Sequence, residues 1–250
     1  MIEEIIKLAK TAGEEILKVY NDPTQADQVD YKADDSPLTK ADTASNEIII
    51  KGLESIDSAI PILSEEEKHQ DYSIRQNWHT FWLVDPLDGT KEFINRNGEF
   101  TVNIALIKDK NPVLAVIYVP VKDIIYWSDH RGAYKIEAGN QIKIQVNRAG
   151  QNRIAVRSKS HASVEEEAIL ARYDVVDSIS VGSSLKFCMV AEGKADIYYR
   201  HGPTMEWDTG AGQAILQAAG GTVYAGATEE KLFRYNKENL LNGSFLCLGF

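Results

Sequence analysis

The sequence predicts a mixed fold in two parts: an α+β half over residues 1–148 built on a large antiparallel sheet, then an α/β half over 149–250. Three observations carry this. The N-terminal segment is apolar at helical spacing. From about residue 80 to 146, apolar runs of strand length follow one another with only short turns between them. After Arg148-Ala149-Gly150 the texture changes, and short strands alternate with helix-length segments.

Ile2, Ile5, Ile6, Ala9, Ala12, Ile16, Leu17 and Tyr20 recur at three and four residues, which predicts one amphipathic helix. Asn21-Asp22-Pro23 stops it. A polar passage through Asp27, Asp30, Asp34 and Asp35 leads to Ser36-Pro37. A second helix follows, capped by Thr39 or Asp42, with Ile48, Ile49 and Leu53 on its apolar face. Pro61-Ile62-Leu63 reads as a short strand running into Ser64-Glu65-Glu66-Glu67. Strands are expected near 80–84, 100–107, 113–119, 123–128, 132–136 and 141–146, several of them antiparallel neighbours. Beyond Gly150 come strand 153–157, helix 163–172, strand 175–181, helix 184–193, strand 195–199, helix 208–219 and a closing pair at 221–224 and 245–249. No internal repeat is visible, and a ligand cleft between the halves is the default expectation.

At 250 residues, with 44% hydrophobic and 26% charged residues, the chain has the composition of a soluble globular protein. A net charge of −10 argues against general binding to nucleic acid polymers or to anionic lipid. No apolar run approaches the ~20 residues of a transmembrane helix, and the start at Met1-Ile2-Glu3-Glu4 lacks the pattern of a signal peptide. Cys188 and Cys247 form no zinc spacing and no disulfide framework, so a reducing cytoplasm is the expected location.

The chemistry is expected where an apolar run, Phe81 to Val84, ends at Asp85-Pro86, with a second acid at Asp88 and a turn at Gly89 opening a short helix at Thr90. Acids at a strand end hold a divalent cation, and free N–H groups at a helix start hold an anion. Two further acidic loci accompany it. Glu65 to Glu67 follow a strand, although alone they read as a solvated helix start, and Glu65 is best placed to point inward. Asp208, in Glu206-Trp207-Asp208-Thr209-Gly210-Ala211-Gly212, reads as a helix N-cap. The small residues after it would let that helix approach another helix or a ligand. Three such loci suit two hard cations bridged by shared carboxylates, the arrangement that activates a water for in-line phosphoryl displacement. Other phosphate chemistries lack their motifs: there is no G-x-x-x-x-G-K-[ST], no G-x-S-x-G, no H-E-x-x-H, and Cys188 shows no sign of a thiolate nucleophile.

Trp82-Leu-Val-Asp-Pro-Leu-Asp-Gly-Thr90 resembles the first signature of the inositol monophosphatase superfamily, and Trp207-Asp-Thr-Gly-Ala-Gly212 resembles the second. Longer strings are similar to its 3′(2′),5′-bisphosphate nucleotidase branch: Lys32-Ala-Asp-Asp-Ser-Pro-Leu-Thr39, Ser64-Glu-Glu, Gly89-Thr-Lys-Glu-Phe-Ile94, Asn97 to Leu106 and Gly182 to Cys188. The resemblance implies a layered αβαβα sandwich of the sugar-phosphatase type. It implies one magnesium ion on Glu65, Asp85 and the Leu87 carbonyl, a second on Asp85, Asp88 and Asp208, and room for a third, weaker one near Glu65. Asp34 and Thr90 match the pair that orients the attacking water. Gly89 and Thr90 would bind the departing phosphate through their N–H groups. Ser183 and Lys186 match contacts to the nucleotide's other phosphate, with Arg200 assisting and Ser184 an equal candidate for the serine. His161 sits where the family approaches the nucleoside. Read blandly, Lys186 and Arg200 are surface charges and His161 a helix cap. Glu206, before Trp207, departs from the usual pattern and adds negative charge near the site.

The activity implied is magnesium-dependent removal of the 3′-phosphate of 3′-phosphoadenosine 5′-phosphate, with the sulfated precursor as another substrate, lithium as an inhibitor and sulfate assimilation as the setting. The alternatives are an inositol or sugar monophosphatase of the same superfamily, or a non-catalytic nucleotide sensor. Dimers are common among such relatives, so a homodimer is an expectation. Peripheral contact with a membrane occurs in some relatives, but no basic or amphipathic patch argues for it here.

Overall fold

The computed structural model describes residues 1–22, 29–31, 37–148, 150–158 and 164–250. The chain opens with α1 (Ile2–Asn21), a short antiparallel hairpin of β1 (Val29–Tyr31) and β2 (Pro37–Thr39), and α2 (Lys40–Ile56). The hairpin falls in the passage that its polar composition marks only as a connection. Thr39 caps α2 by accepting the Ala41 N–H, and Asp42 reaches back to the Thr39 N–H at 2.8 Å, so both residues named as capping candidates take part.

Then follow β3 (Ile62–Ser64), α3 (Tyr72–Arg75), β4 (Thr80–Asp88), α4 (Thr90–Ile94), β5 (Thr101–Lys108), β6 (Asn111–Val119), β7 (Ile124–Asp129), β8 (Gly132–Glu137) and β9 (Asn140–Ile144). These strands form one seven-stranded sheet in sequence order, antiparallel except for the parallel pair β3–β4. The remaining elements are β10 (Arg153–Arg157), α5 (Val164–Leu170), β11 (Val175–Ser180), α6 (Leu185–Ala191), β12 (Ile197–Arg200), β13 (Thr204–Met205), α7 (Glu206–Ala218), β14 (Thr222–Ala225), β15 (Leu241–Asn242) and β16 (Phe245–Leu248). A second sheet runs β11-β10-β12-β16-β14, parallel at β11-β10-β12 and antiparallel at β12-β16-β14.

Strand alternation explains how these parts stack. One face of the seven-stranded sheet presents Trp82, Val84, Ile104 and Val116 to α1 and α2. The other presents Leu83, Ala105, Ala115 and Ile117 to α6 and α7, whose far sides meet Tyr198, Phe245 and Cys247 of the second sheet. Ile169 and Leu170 of α5 cover that sheet's outer face at Ile197 and Leu246. The result is the layered αβαβα sandwich that the resemblance implies.

The small residues of α7 make the middle layer thin. A Cβ on Gly210 would lie 2.7 Å from Leu83 Cδ2, and one on Gly212 would overlap the Phe187 ring. The close approach is therefore to a strand and to a neighbouring helix. Gly212→Ala is expected to destabilise the fold by about 1–3 kcal/mol through overpacking, seen as a lower denaturant midpoint at unchanged m-value. An unchanged midpoint would show that Phe187 moves aside freely.

Candidate active site

Asp85 and Asp88 stand three residues apart, a spacing that in a regular strand would point them to opposite faces. The expected break at Asp85-Pro86 does not occur: β4 continues to Asp88 through a bulge. Asp85 pairs with Asn103 and Asp88 with Thr101, so three steps along β4 match two along β5. The extra residue turns both acids toward the same cleft. Proline is tolerated there because a bulge needs one ladder donor fewer. The Leu87 N–H folds back onto Asp85 Oδ1 at 3.1 Å while the Leu87 side chain enters the core beneath α2.

Glu65 follows β3, and its N–H donates to the Val84 carbonyl at 3.1 Å. Residues 65–67 form a turn, not the helix start that three glutamates suggest. Asp208 is the third residue of α7 and accepts the Met205 N–H at 2.8 Å, so it braces the helix start from inside instead of forming the N-cap expected of it. Ligand oxygens of Glu65, Asp85 and Asp208 lie within 4.8 Å of one another. Burial, then the charges of Glu65, Asp88 and Asp208, hold the Asp85 carboxyl well above the usual range. Asp208 is raised in the same way, by burial and then by Asp88. Hard oxygen donors crowded so that Asp85 and Asp208 resist ionisation beside their neighbours fit divalent cations, which remove that repulsion.

Asp88 stands outside the trio and lines the same cleft. Its Oδ2 accepts the Ser184 N–H at 2.6 Å, the Ser184 hydroxyl at 2.7 Å and, more weakly, Asn103 Nδ2 at 3.4 Å. Thr90, first residue of α4, directs its hydroxyl to Asp42 Oδ1 at 3.4 Å. Asp42 is buried, and that burial raises its carboxyl to about 6 against the lowering effect of the Thr39 hydrogen bonds.

The cleft continues past Gly89 into a cavity of about 170 Å³ lined by Ser183, Ser184, Lys186 and Arg200 among others. Lys186 is 7% exposed, not a surface charge; its Nζ donates to the Ser183 carbonyl at 2.7 Å. Burial lowers its ammonium to about 8, although nearby Asp88 opposes the shift. Arg200 borders both parts of the cleft, and its Nε is buried with no partner among the described residues. Ser183 has φ +44° and Ser184 lies on Asp88, so the two candidate serines divide: Ser183 faces Thr101 Oγ1 at 3.2 Å, and Ser184 is spent on the carboxylate.

A model of the inositol monophosphatase family matches residues 1–245. The chain belongs to the inositol monophosphatase family. It is 48% identical over 224 residues to the 3′(2′),5′-bisphosphate nucleotidase CysQ of Escherichia coli O6:H1, covering 90% of each chain. To the protein of the same name from Salmonella typhimurium it is 46% identical over 246 residues, covering 98% of each. Among solved structures it is similar to CysQ from Bacteroides thetaiotaomicron, with TM-score 0.86 and 46% identity over 99% of this chain and 96% of that one. The inositol monophosphatase from Anabaena, at 23% identity and TM-score 0.77, shares the fold.

Within this inositol monophosphatase framework some readings change. Asp34 and His161 lie outside the described residues. Among the described residues Thr90 bonds to Asp42, which its sequence position marks only as a capping candidate. Glu206 does not face the cleft: fully buried, it accepts the Asn236 N–H at 2.7 Å, the Lys237 N–H at 2.9 Å and Lys237 Nζ at 2.6 Å. Its charge anchors the start of α7. Asn103 and Thr101, unremarked as site residues in the sequence, link Asp88 and Ser184 to Ser183. Their local signal is two polar residues ahead of the apolar run Ile104 to Ile107. Among the described residues no helix is long and apolar enough to cross a membrane.

Proposed function

We propose that the chain hydrolyses the 3′-phosphate of 3′-phosphoadenosine 5′-phosphate, yielding AMP and inorganic phosphate. One observation carries the reading. The cleft is anionic at Glu65, Asp85 and Asp208 and cationic at Lys186 and Arg200, so it has separate places for a phosphate that reacts and a phosphate that is only held. The curated nucleotidases to which the chain is 46–48% identical act on a substrate with two phosphates, as their name states.

Residues 1–148 supply Glu65, Asp85, Asp88 and the Leu87 carbonyl, and 149–250 supply Asp208 and the contacts to the second phosphate. Glu65, Asp85 and Leu87 would hold one magnesium ion, and Asp85, Asp88 and Asp208 another. Bound there, magnesium supplies charge for the transferring phosphoryl oxygens and acidifies the attacking water. The protein's own groups aim that water. Thr90 gives its hydroxyl hydrogen to Asp42, which leaves its oxygen to accept a proton from the water. As the water oxygen bonds to phosphorus, the P–O3′ bond breaks. The water's proton passes through Thr90 Oγ1 to Asp42, and the ribose oxygen leaves with a proton from solvent. Gly89 and Thr90, at the start of α4, have N–H groups without partners inside the helix to receive the departing phosphate. Lys186, Arg200 and Ser183 hold the 5′-phosphate.

Lys186→Met tests this. The variant is expected to raise KM for 3′-phosphoadenosine 5′-phosphate by on the order of 10- to 100-fold, the loss of one charge-assisted hydrogen bond. KM for inositol monophosphate, which has no second phosphate, should barely change. In the wild type, KM for the bisphosphate should climb as pH rises through about 8, where Lys186 loses its proton. Equal effects on both substrates would overturn the assignment of the second phosphate.

A further inference from the structure

We propose that the first two turns of α2 set the spacing of the carboxylate cluster, with Asn46 as the positioning residue for Glu65. The inference rests on reading that cluster as a metal centre. Asp42, Ser45 and Asn46 fall at i, i+3 and i+4, one face of the helix, and all three are buried. Each ends on a different segment of the site. Asp42 receives the Thr90 hydroxyl. Ser45 Oγ donates to the Pro86 carbonyl at 2.7 Å, inside the bulge that separates Asp85 from Asp88. Asn46 grips the Glu65 turn from both sides: its Nδ2 donates to Glu67 Oε1 at 2.7 Å, and its Oδ1 accepts the Ser64 hydroxyl at 2.7 Å.

The turn hangs from a short strand. β3 is three residues long and sits at the edge of the sheet. Beyond it the backbone is closed by Glu67 N–H to the Ser64 carbonyl at 3.3 Å and tied to β4 by the Glu65 N–H. Asn46, 5% exposed, fixes the residues on either side of Glu65 from a rigid helix. His69 Nε2 also lies 3.0 Å from the Ser64 carbonyl, and Asn46 holds Ser64 and Glu67 at once.

The test is Mn²⁺ binding to the full chain, followed by the electron paramagnetic resonance signal of the free ion. Wild type is compared with Asn46→Ala, Ser64→Ala and the charge-conserving pair Asn46→Asp with Glu67→Gln. The pair rebuilds both hydrogen bonds with the Glu67 one reversed. Asn46→Ala is expected to weaken Mn²⁺ binding by about 10- to 100-fold and to raise by a similar factor the magnesium concentration needed for half-maximal turnover. KM for the nucleotide at saturating magnesium should stay unchanged. The pair should return Mn²⁺ affinity close to that of wild type, which a merely structural loss would not do. Should Asn46→Ala fail to fold, Ser64→Ala and the pair carry the same comparison. Wild-type affinity in a folded Asn46→Ala or Ser64→Ala overturns the proposal. A wild-type protein that binds no Mn²⁺ overturns the metal-centre reading instead.

Discussion

Asp85→Asn is expected to cut turnover by on the order of 10³-fold or more, because several kcal/mol of transition-state charge stabilisation depend on cations held by that carboxylate. The same change should make the protein more stable when magnesium is chelated. Asp85 is 1% exposed, and burial together with the charge of Glu65 raises its carboxyl well above the ordinary value. A carboxyl buried beside other acids is therefore a cost that the metal-free fold bears, and the neutral amide removes it while keeping an acceptor for the Leu87 N–H. Each kcal/mol relieved is worth roughly 2–4 °C in a chain of this size. The pairing of lost turnover with a higher melting temperature separates a site residue from a structural one. Turnover near the wild-type rate would rule out the shared-carboxylate arrangement, and a lower melting temperature in chelator would mean that Asp85 stabilises the apo fold.

Asp42→Asn should lower kcat by about 10²- to 10⁴-fold, the usual span for losing a positioned base, with little effect on Mn²⁺ affinity. Asparagine still offers an oxygen to the Thr39 N–H, so the start of α2 is kept. In the wild type, burial sets the Asp42 carboxyl at about 6, so activity should fall as pH drops below that value and the acid can no longer accept from Thr90. Stability moves the other way. The unfolded chain releases this proton near 3.8 and the folded chain near 6, so between those values the fold binds more protons. The stability of the metal-free protein should therefore decline as pH rises through that window, and less so in Asp42→Asn. Measured kcat–pH profiles and chelator melts at pH 4, 5, 6 and 7 check both signs. An Asp42→Asn enzyme with wild-type kcat would return the role of Thr90's partner to Asp34.

The carboxylates were legible in the chain because residue type and position state them directly. Glu65, Asp85, Asp88 and Asp208 each sit at the end of a strand or the start of a helix, and such ends can be read from local pattern. The bond from Thr90 to Asp42 was not legible, because it requires knowing that the start of α2 faces the start of α4. Glu206 shows the same limit in reverse: a charge two residues from Asp208 looks like part of the site until Asn236 and Lys237, far along the chain, are seen to claim it.

Periodicity is a local property, so the two textures of the chain, the presence of α1, α2 and α7 and the apolar body of each strand in both sheets follow from the order of apolar residues. Direction is not local. Whether Asp85 and Asp88 share a face depends on one extra residue opposite Asn103 and Thr101, a matter of register between β4 and β5. Whether Lys186 is a surface charge or a buried ammonium in a cleft depends on α6 lying between two sheets. Both are settled by packing between segments distant in sequence, where burial sets the strength of every charge and hydrogen bond in the site.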